Sequence, residues 1–370
     1  MRGRREPQSL MLAFVDLEQR VPKDHPLRTI RVLADQALAA LSETFDAMYA
    51  EGGRPSIPPE RLLKASLLIA LYSVRSERAF CEQLDYDLLF RWFLDMQLIE
   101  PSFDPTTFTK NRKRLLDHEV GRGLFDLIVG QAQDRGLLSD EHFTVDGTLI
   151  EAAASLKSFK PRDGGPPRTT DDDPGNPSVD FHGEKRSNAT HQSTTDPDAR
   201  LAKKGGTTAR LSYMGHALME NRHGLLVDFQ ITTATGTAER DVVAPLLNRA
   251  RERGFHPTTL GADKGYDTHD CVADLEAQGV KPHIARNMTH HRGSAVDDTT
   301  AAAPGYAVSQ RLRKRVEELF GWMKTIAGLR RTRYRGLRKT GLVGFLVATA
   351  YNLVRLGKLL ASSNAQPAAA

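Results

Sequence analysis

The carboxylates that could do chemistry stand at three separated places in this 370-residue chain. Asp146 follows Phe143-Thr144-Val145 and precedes Gly147, within FTVDGTLIEA, an alternating stretch rich in β-branched residues that reads as a strand. Asp263 closes the run Thr258 to Ala262 and precedes Lys264-Gly265-Tyr266, where a short strand gives way to loop. An acid at the C-terminal end of a buried strand faces the crevice in which open sheets bind ligands. Glu317 falls on a helix expected over 309–327. There Val316, Leu319, Phe320 and Met323 form the core stripe, and Arg313, Glu317 and Lys324 the stripe beside it. Three carboxylates converging on one crevice suit hard divalent cations, which take oxygen ligands and coordinate phosphate oxygens. Two such ions about 3.5 to 4 Å apart can stabilise both the attacking and the leaving oxygen of an in-line displacement at phosphorus. Taken singly, each aspartate reads more often as a turn or capping residue. By spacing alone, Arg313 and Glu317 read as an i,i+4 surface pair.

Other chemistries are poorly served. No Walker A sequence, GxSxG elbow, HExxH or GxGxxG stands where it would be needed, which removes the commonest NTPase, hydrolase and dinucleotide-binding classes. Cys81 and Cys271 lie far apart without a ligand-spaced partner, against a disulfide scaffold or structural zinc. His142, His216, His283, His290 and His291 are scattered and read as surface or packing residues. Trp92 and Trp322 sit in helical apolar faces and read as core. Lys264 and Tyr266, beside Asp263, read as substrate neighbours.

Charge points to the partner. The net charge is +5, but Arg311 to Lys339 holds eleven Lys or Arg against Glu317 and Glu318. That segment carries +9 and the rest of the chain −4, a concentration that suits a polyanion, nucleic acid foremost. The alternative is a solvated helix face.

The elements that must position these groups fall into two regions. Residues 1–136 read as all-helical. The clearest helix follows Pro58 and Pro59, a second follows Ser76-Glu77, and a third follows Asp104-Pro105 with Lys110, Arg112, Lys113 and Arg114 at its front. Short helices with a basic first turn fit a helix-turn-helix-like DNA reader or a helical packing domain. Residues 137–361 read as α/β. After the strand at Asp146 come a hairpin turning at Glu220 to Gly224, a helix near 238–254, the strand ending at Asp263, a helix near 268–279, a strand around VKPHIARN, and helices at 309–327 and 341–360. Between them, 157–206 is dominated by Pro, Gly, Asp, Ser and Thr and reads as a loop or disordered insertion, with a disordered tail at 362–370. A hydrophobic share of 40% is that of an ordinary globular protein. The longest apolar run, Leu342 to Tyr351, is about half of a bilayer span, and Leu10 to Val15 is too short for a secretory signal, so no membrane partner and a cytoplasmic location are expected.

Three blocks taken together, FTVDGTLIEAAASLKSFKP, LGADKGYDT, and SQRLRKRVEELFGWMK followed by RRTRYRGLRK, resemble the DDE transposases of bacterial insertion sequences, in the insertion-sequence-four and insertion-sequence-five superfamily. The third-acid signature of that family, Y-x2-R-x3-E-x6-K, maps onto Gln310, Arg313, Glu317 and Lys324, with Gln310 in place of tyrosine. Ala153 stands where close members often carry an aromatic residue. The resemblance implies an RNase H-like mixed sheet with flanking helices. It makes Asp146, Asp263 and Glu317 the catalytic and metal-binding acids, with Mg²⁺ as cofactor and Mn²⁺ as substitute. DNA contacts fall to Arg313, Lys324, Arg330, Arg331, Arg333 and Arg335, joined by Lys110, Arg112 and Lys113 of the helical region. The implied partners are double-stranded element ends and target DNA at the bacterial nucleoid, bound by a homodimer or larger assembly. The implied reaction is recognition of terminal inverted repeats, cleavage and strand transfer. A catalytically silent DNA-binding protein and a non-transposing metal nuclease of the same fold are the alternatives.

Overall fold

The structure is a computed structural model that describes residues 15–50, 52–53, 55–162, 179–181, 184–289 and 293–365. Its first part is helical: α1 (Leu17–Arg20), α2 (Leu27–Ala39), α3 (Ser42–Ala47), α4 (Pro59–Leu71), α5 (Glu77–Leu84), α6 (Leu88–Phe93), α7 (Thr106–Asp117) and α8 (Val120–Asp134). Side chains at the entry points start several of them. Asp16 accepts from the Glu18 N–H at 2.9 Å, Ser76 from Ala79 at 3.0 Å and Asp87 from Phe90 at 3.0 Å, each satisfying a donor that the first turn leaves free. In α4 the opening prolines cost no hydrogen bond, and Leu62, Leu63, Leu67 and Leu68 are wholly buried, so this helix is core.

The second part is built on β1 (His142–Glu151). Between β1 and the next long strand lie β2 (Phe159–Pro161), β3 (Val179–Phe181), β4 (Glu184–Arg186), β5 (His191–Ser193) and β6 (Arg200–Ala202). The long hairpin is β7 (Arg210–Glu220) and β8 (Leu225–Thr233), turning where Gly224 adopts φ +67°, a region glycine enters without steric cost. β9 (Thr259–Ala262) and β10 (Lys281–Ile284) complete the sheet. β8, β7 and β1 run antiparallel, β9 joins the other edge of β1 in parallel and β10 joins β9 in parallel, while β6 shares an edge of β7 with β8. An antiparallel meander continued by two parallel strands is an RNase H-like arrangement.

Three expectations need correction. The insertion at 157–206 is not featureless where it is described, because β2 pairs with β5, β3 with β4, and β6 joins the main sheet. Polar side chains add there to the burial of Phe159, Ala199 and Leu201. Asn188 bonds both backbone groups of Leu201, at 2.7 and 2.8 Å, and the Tyr213 hydroxyl donates to Asp196 at 2.6 Å. Residues 163–178 and 182–183 of that stretch lie outside the described residues. The single helix expected over 309–327 is two, α13 (Pro304–Leu312) and α14 (Arg315–Thr325), broken at Arg313-Lys314.

α9 (Ala238–Asp241), α10 (Val243–Glu252), α11 (His269–Ala277) and α12 (Asp298–Ala302) precede these, and α15 (Leu337–Ala365) is the last described element. The tail expected from 362 is therefore helical as far as Ala365. α15 packs against β8 on one side and against α8, α4 and α2 on the other, so the sheet and the helical region share one apolar core. Gly344 permits the approach to β8, since a Cβ there would lie 2.6 Å from Ile231 Cδ1 and 2.8 Å from Phe229 Cε1. Asn352 adds hydrogen bonds to both backbone groups of Leu226, each of 2.9 Å. Leu337–Ser363 is long and apolar enough to cross a bilayer, but here it is the shared core helix, more than half buried.

Candidate active site

The register of the parallel pair β1 and β9 matches Thr144 with Gly261. Asp146, within β1, and Asp263, just past the end of β9, each stand two residues further on, so the two carboxylates lie just beyond the last paired residues of the two strands. β9 ends at Ala262, and Asp263 caps the following turn, its Oδ1 accepting the Gly265 N–H at 2.8 Å. Asp146 Oδ1 accepts the Gly147 N–H at 2.7 Å. Its carboxyl is pushed up to about 6, first by burial and further by the negative charges of Asp263 and Glu239, against the opposing pull of Lys204 and the Gly147 N–H.

Lys204 and Glu239 were not foreseen. The Lys204 ammonium donates to Gly147 O at 2.8 Å and to Glu239 Oε1 at 3.2 Å, and lies 3.8 Å from Asp146 Oδ1. Burial works to lower its pKa, but the carboxylates of Asp146, Glu239 and Asp263 outweigh that and leave it raised. Glu239 comes from α9 and Lys204 from the loop after β6. The sequence signal for Lys204 was the Lys203-Lys204-Gly205-Gly206 cluster closing the polar stretch, and for Glu239 the acid at the start of the helix after the hairpin.

α14 packs against β1 and brings Lys324 close enough for its pKa to respond to this crevice. That pKa is lowered by burial first, then by Arg330 and Lys204, with Asp146 and Glu151 opposing. Glu317, in the first turn of α14, is exposed, and among the described residues its carboxylate has no hydrogen-bond or ion-pair partner. Among the described residues no three Asp, Glu, His or Cys side chains are gathered tightly enough to hold one ion. Asp263 thus lies near enough to Asp146 for its charge to act there, while among the described residues Glu317 makes no hydrogen bond or ion pair with either aspartate.

The surface pair of Arg313 with Glu317 does not form, because the break at Arg313-Lys314 separates their helices. Arg313 Nε instead donates to Gln310 Oε1 at 3.0 Å, and Gln310 Nε2 donates to His283 O, tying α13 to β10. α13 can lie on β9 because Gly261 has no side chain: a Cβ there would be 3.3 Å from Ser309 Oγ and 3.4 Å from Arg313 Cβ.

The cationic segment is anchored at the end of β1. The Glu151 N–H donates to Arg330 O at 3.0 Å and the Thr332 N–H to Glu151 O at 2.8 Å. Arg330, Arg331 and Arg335 are exposed, with no side-chain partner among the described residues. Arg333 donates to Val74 O at 3.0 Å. On α7, Lys110 and Lys113 are exposed, but Arg112 is committed within the protein. Its guanidinium pairs with Glu77 and lies 4.5 Å from the Tyr334 ring centre, while the Tyr334 hydroxyl donates to Glu77 at 2.8 Å.

The remaining candidates resolve as follows. His216 shares a 2.8 Å hydrogen bond with Thr232 and is held down to about 3 by burial and by Lys204. His283 is held down to about 4 by burial, then by His142 and Lys281, with the His142 ring 5.7 Å away. His290 and His291 lie outside the described residues. Trp92 is buried beneath Arg28 and Arg31, and Trp322 is half-buried against Tyr351. Lys264 is exposed beside Asp263, whereas Tyr266 is wholly buried, which removes it as a substrate neighbour.

Two family models match the chain. One, described as Transposase domain (DUF772), matches residues 15–114, and the other, Transposase DDE domain, matches residues 138–353, more than half of the 370 residues. Among solved structures, a cryo-EM piggyBac transposase synaptic complex with hairpin DNA is similar at 10% identity, over 93% of this chain and 77% of that one, with a TM-score of 0.43. A pre-cleavage Mos1 transpososome is similar at 12% identity, over 86% of this chain and 82% of that one, with a TM-score of 0.21. Likenesses this distant add no argument, and the family match carries the assignment.

Proposed function

This chain belongs to the transposase DDE domain family, and from that premise we propose that it binds the terminal inverted repeats of its own element, cuts the DNA there and joins the freed ends to a target. The acids of the reaction are Asp146, Asp263 and Glu317. The observation that carries this reading is the placement of Asp146 on β1 beside Asp263 just past the end of the parallel strand β9, where the Asp263 charge adds to burial in raising the cost of ionising Asp146. Such a pair gains when a cation neutralises it. The donors are carboxylate oxygens, and the crevice already gathers oxygens around a positive charge at Lys204, so the residues fit a hard divalent ion, Mg²⁺ or Mn²⁺.

Asp146 and Asp263 would hold that ion together with Glu317, and when bound it supplies an activated water and charge neutralisation at phosphorus. The chain's own residues supply the positioning. The Gly147 N–H orients Asp146, and the Gly265 N–H orients Asp263. Arg330, Arg331 and Arg335 offer free guanidinium groups to the phosphate backbone just beyond β1, and Lys324 adds a cation facing the crevice. Two ends held together require at least two copies of the chain on DNA. Glu317 is exposed, and among the described residues no three carboxylates are gathered around one ion, which favours a second reading, a protein that occupies the repeats without cutting them.

The test is a cleavage and strand-transfer assay with purified protein, Mg²⁺ and DNA carrying both element ends. Wild type is expected to cut and join, and Asp263→Ala and Glu317→Ala to bind the ends without cutting. A wild type that binds the ends but never cuts them establishes the silent reading instead.

A further inference from the structure

Lys204 stands where the metal reading needs a cation. Its ammonium is surrounded by Gly147 O at 2.8 Å, Glu239 Oε1 at 3.2 Å and Asp146 Oδ1 at 3.8 Å. A backbone carbonyl and two carboxylates around one positive charge are the donors a hard metal ion collects, and here the charge belongs to the protein. The arrangement is built for. Gly147 leaves the room that Glu239 occupies against β1, because a Cβ there would fall 2.8 Å from Glu239 Oε1 and 2.9 Å from its Cγ. The Lys204 side chain is 51% exposed, so it can swing into solvent without opening the core.

We propose that Lys204 is the resident counter-ion of the Asp146 crevice, held there by Glu239, and that a divalent cation binds by displacing it. Cation entry and lysine release are then one exchange, in which the ammonium keeps its proton and its charge throughout. Lys204 and Glu239 are positioning residues: they set how strongly the crevice takes up a metal ion and need not touch the scissile phosphate. The inference rests on the metal reading given above.

The test is Mn²⁺ binding to the full-length protein without DNA, read from the free-ion electron paramagnetic resonance signal. Wild type is compared with Lys204→Met, Lys204→Gln and Asp146→Asn. Removing a competing positive charge 3.8 Å from Asp146 Oδ1, in a partly exposed site, is expected to tighten Mn²⁺ binding by about tenfold in both lysine variants. Two variants of different polarity guard against a defect peculiar to one. Asp146→Asn is expected to lose binding. Lysine variants that bind no tighter than wild type, while Asp146→Asn still loses binding, overturn the exchange and leave the metal site standing. Equal binding by wild type and Asp146→Asn, or none by any form, overturns both.

Discussion

Replacing Asp146 with asparagine should make this protein more stable. The carboxyl is raised from an ordinary 3.8 to about 6, so the folded chain resists ionising it more than the unfolded chain does. Such a group contributes stability that is fully present below 3.8 and lost as the pH rises through about 6. At about 1.4 kcal/mol per pH unit, the full loss is about 3 kcal/mol at pH 8 and about half of that at pH 5. With 19% of the side chain exposed, solvent screening trims those figures to about 2 and about 1 kcal/mol. Asparagine keeps the shape and an oxygen for the Gly147 N–H, so it sheds the charge without emptying the site. The measurement is urea unfolding of both forms at pH 8 and pH 5 with a chelator present. An asparagine form less stable than wild type at pH 8, or an advantage that does not shrink at pH 5, would refute the assignment of a buried, repelled carboxylate.

Two further outcomes are expected. Replacing Arg330, Arg331 and Arg335 together by alanine should lower the slope of log binding constant against log salt by up to about 3 for duplex DNA, with unchanged thermal unfolding. An unaltered slope would remove the loop from the interface. Gly344→Val should destabilise the chain by roughly 2 kcal/mol in urea, since the new side chain meets Ile231 and Phe229. Gly130→Ala, inside α8 where a Cβ meets nothing within 4 Å, should be neutral or stabilise by up to about 1 kcal/mol, and a comparable loss there would show that contact with neighbours does not set the effect.

Much of the fold was legible because its signals are local. Alternation marks β1, and the polar cluster ending in Gly224 marks the β7–β8 turn. Asp146 and Asp263 could be read as strand-borne acids, yet only the β1–β9 register sets them near each other, and pairing between distant strands leaves no trace in a single sequence. The break at Arg313-Lys314 was hidden because no Gly or Pro marks it. The stretch 157–206 misled through composition, since Asn188 and Asp196 are held by hydrogen bonds that composition does not reveal. With it went Lys204, placed in a region read as loop. Arg112 misled in the opposite direction: a basic cluster suggested a DNA contact, while Glu77 and Tyr334 draw that guanidinium inward. Lys110 and Lys113 on the same helix remain exposed.

The position of α15 bears on how the chain is made. Its residues 337–365 are made after every other described element, yet they cover apolar faces of α2, α4 and α8, which are made well before. The helical region therefore waits with an unfinished core through the synthesis of everything between. A chain cut short before Leu337 has helices α2, α4 and α8 with nothing to close against, and aggregation or proteolysis is its expected fate. Premature termination anywhere upstream of α15 thus removes the helical region along with the sheet, and fragments that keep DNA contacts without the acids should not accumulate.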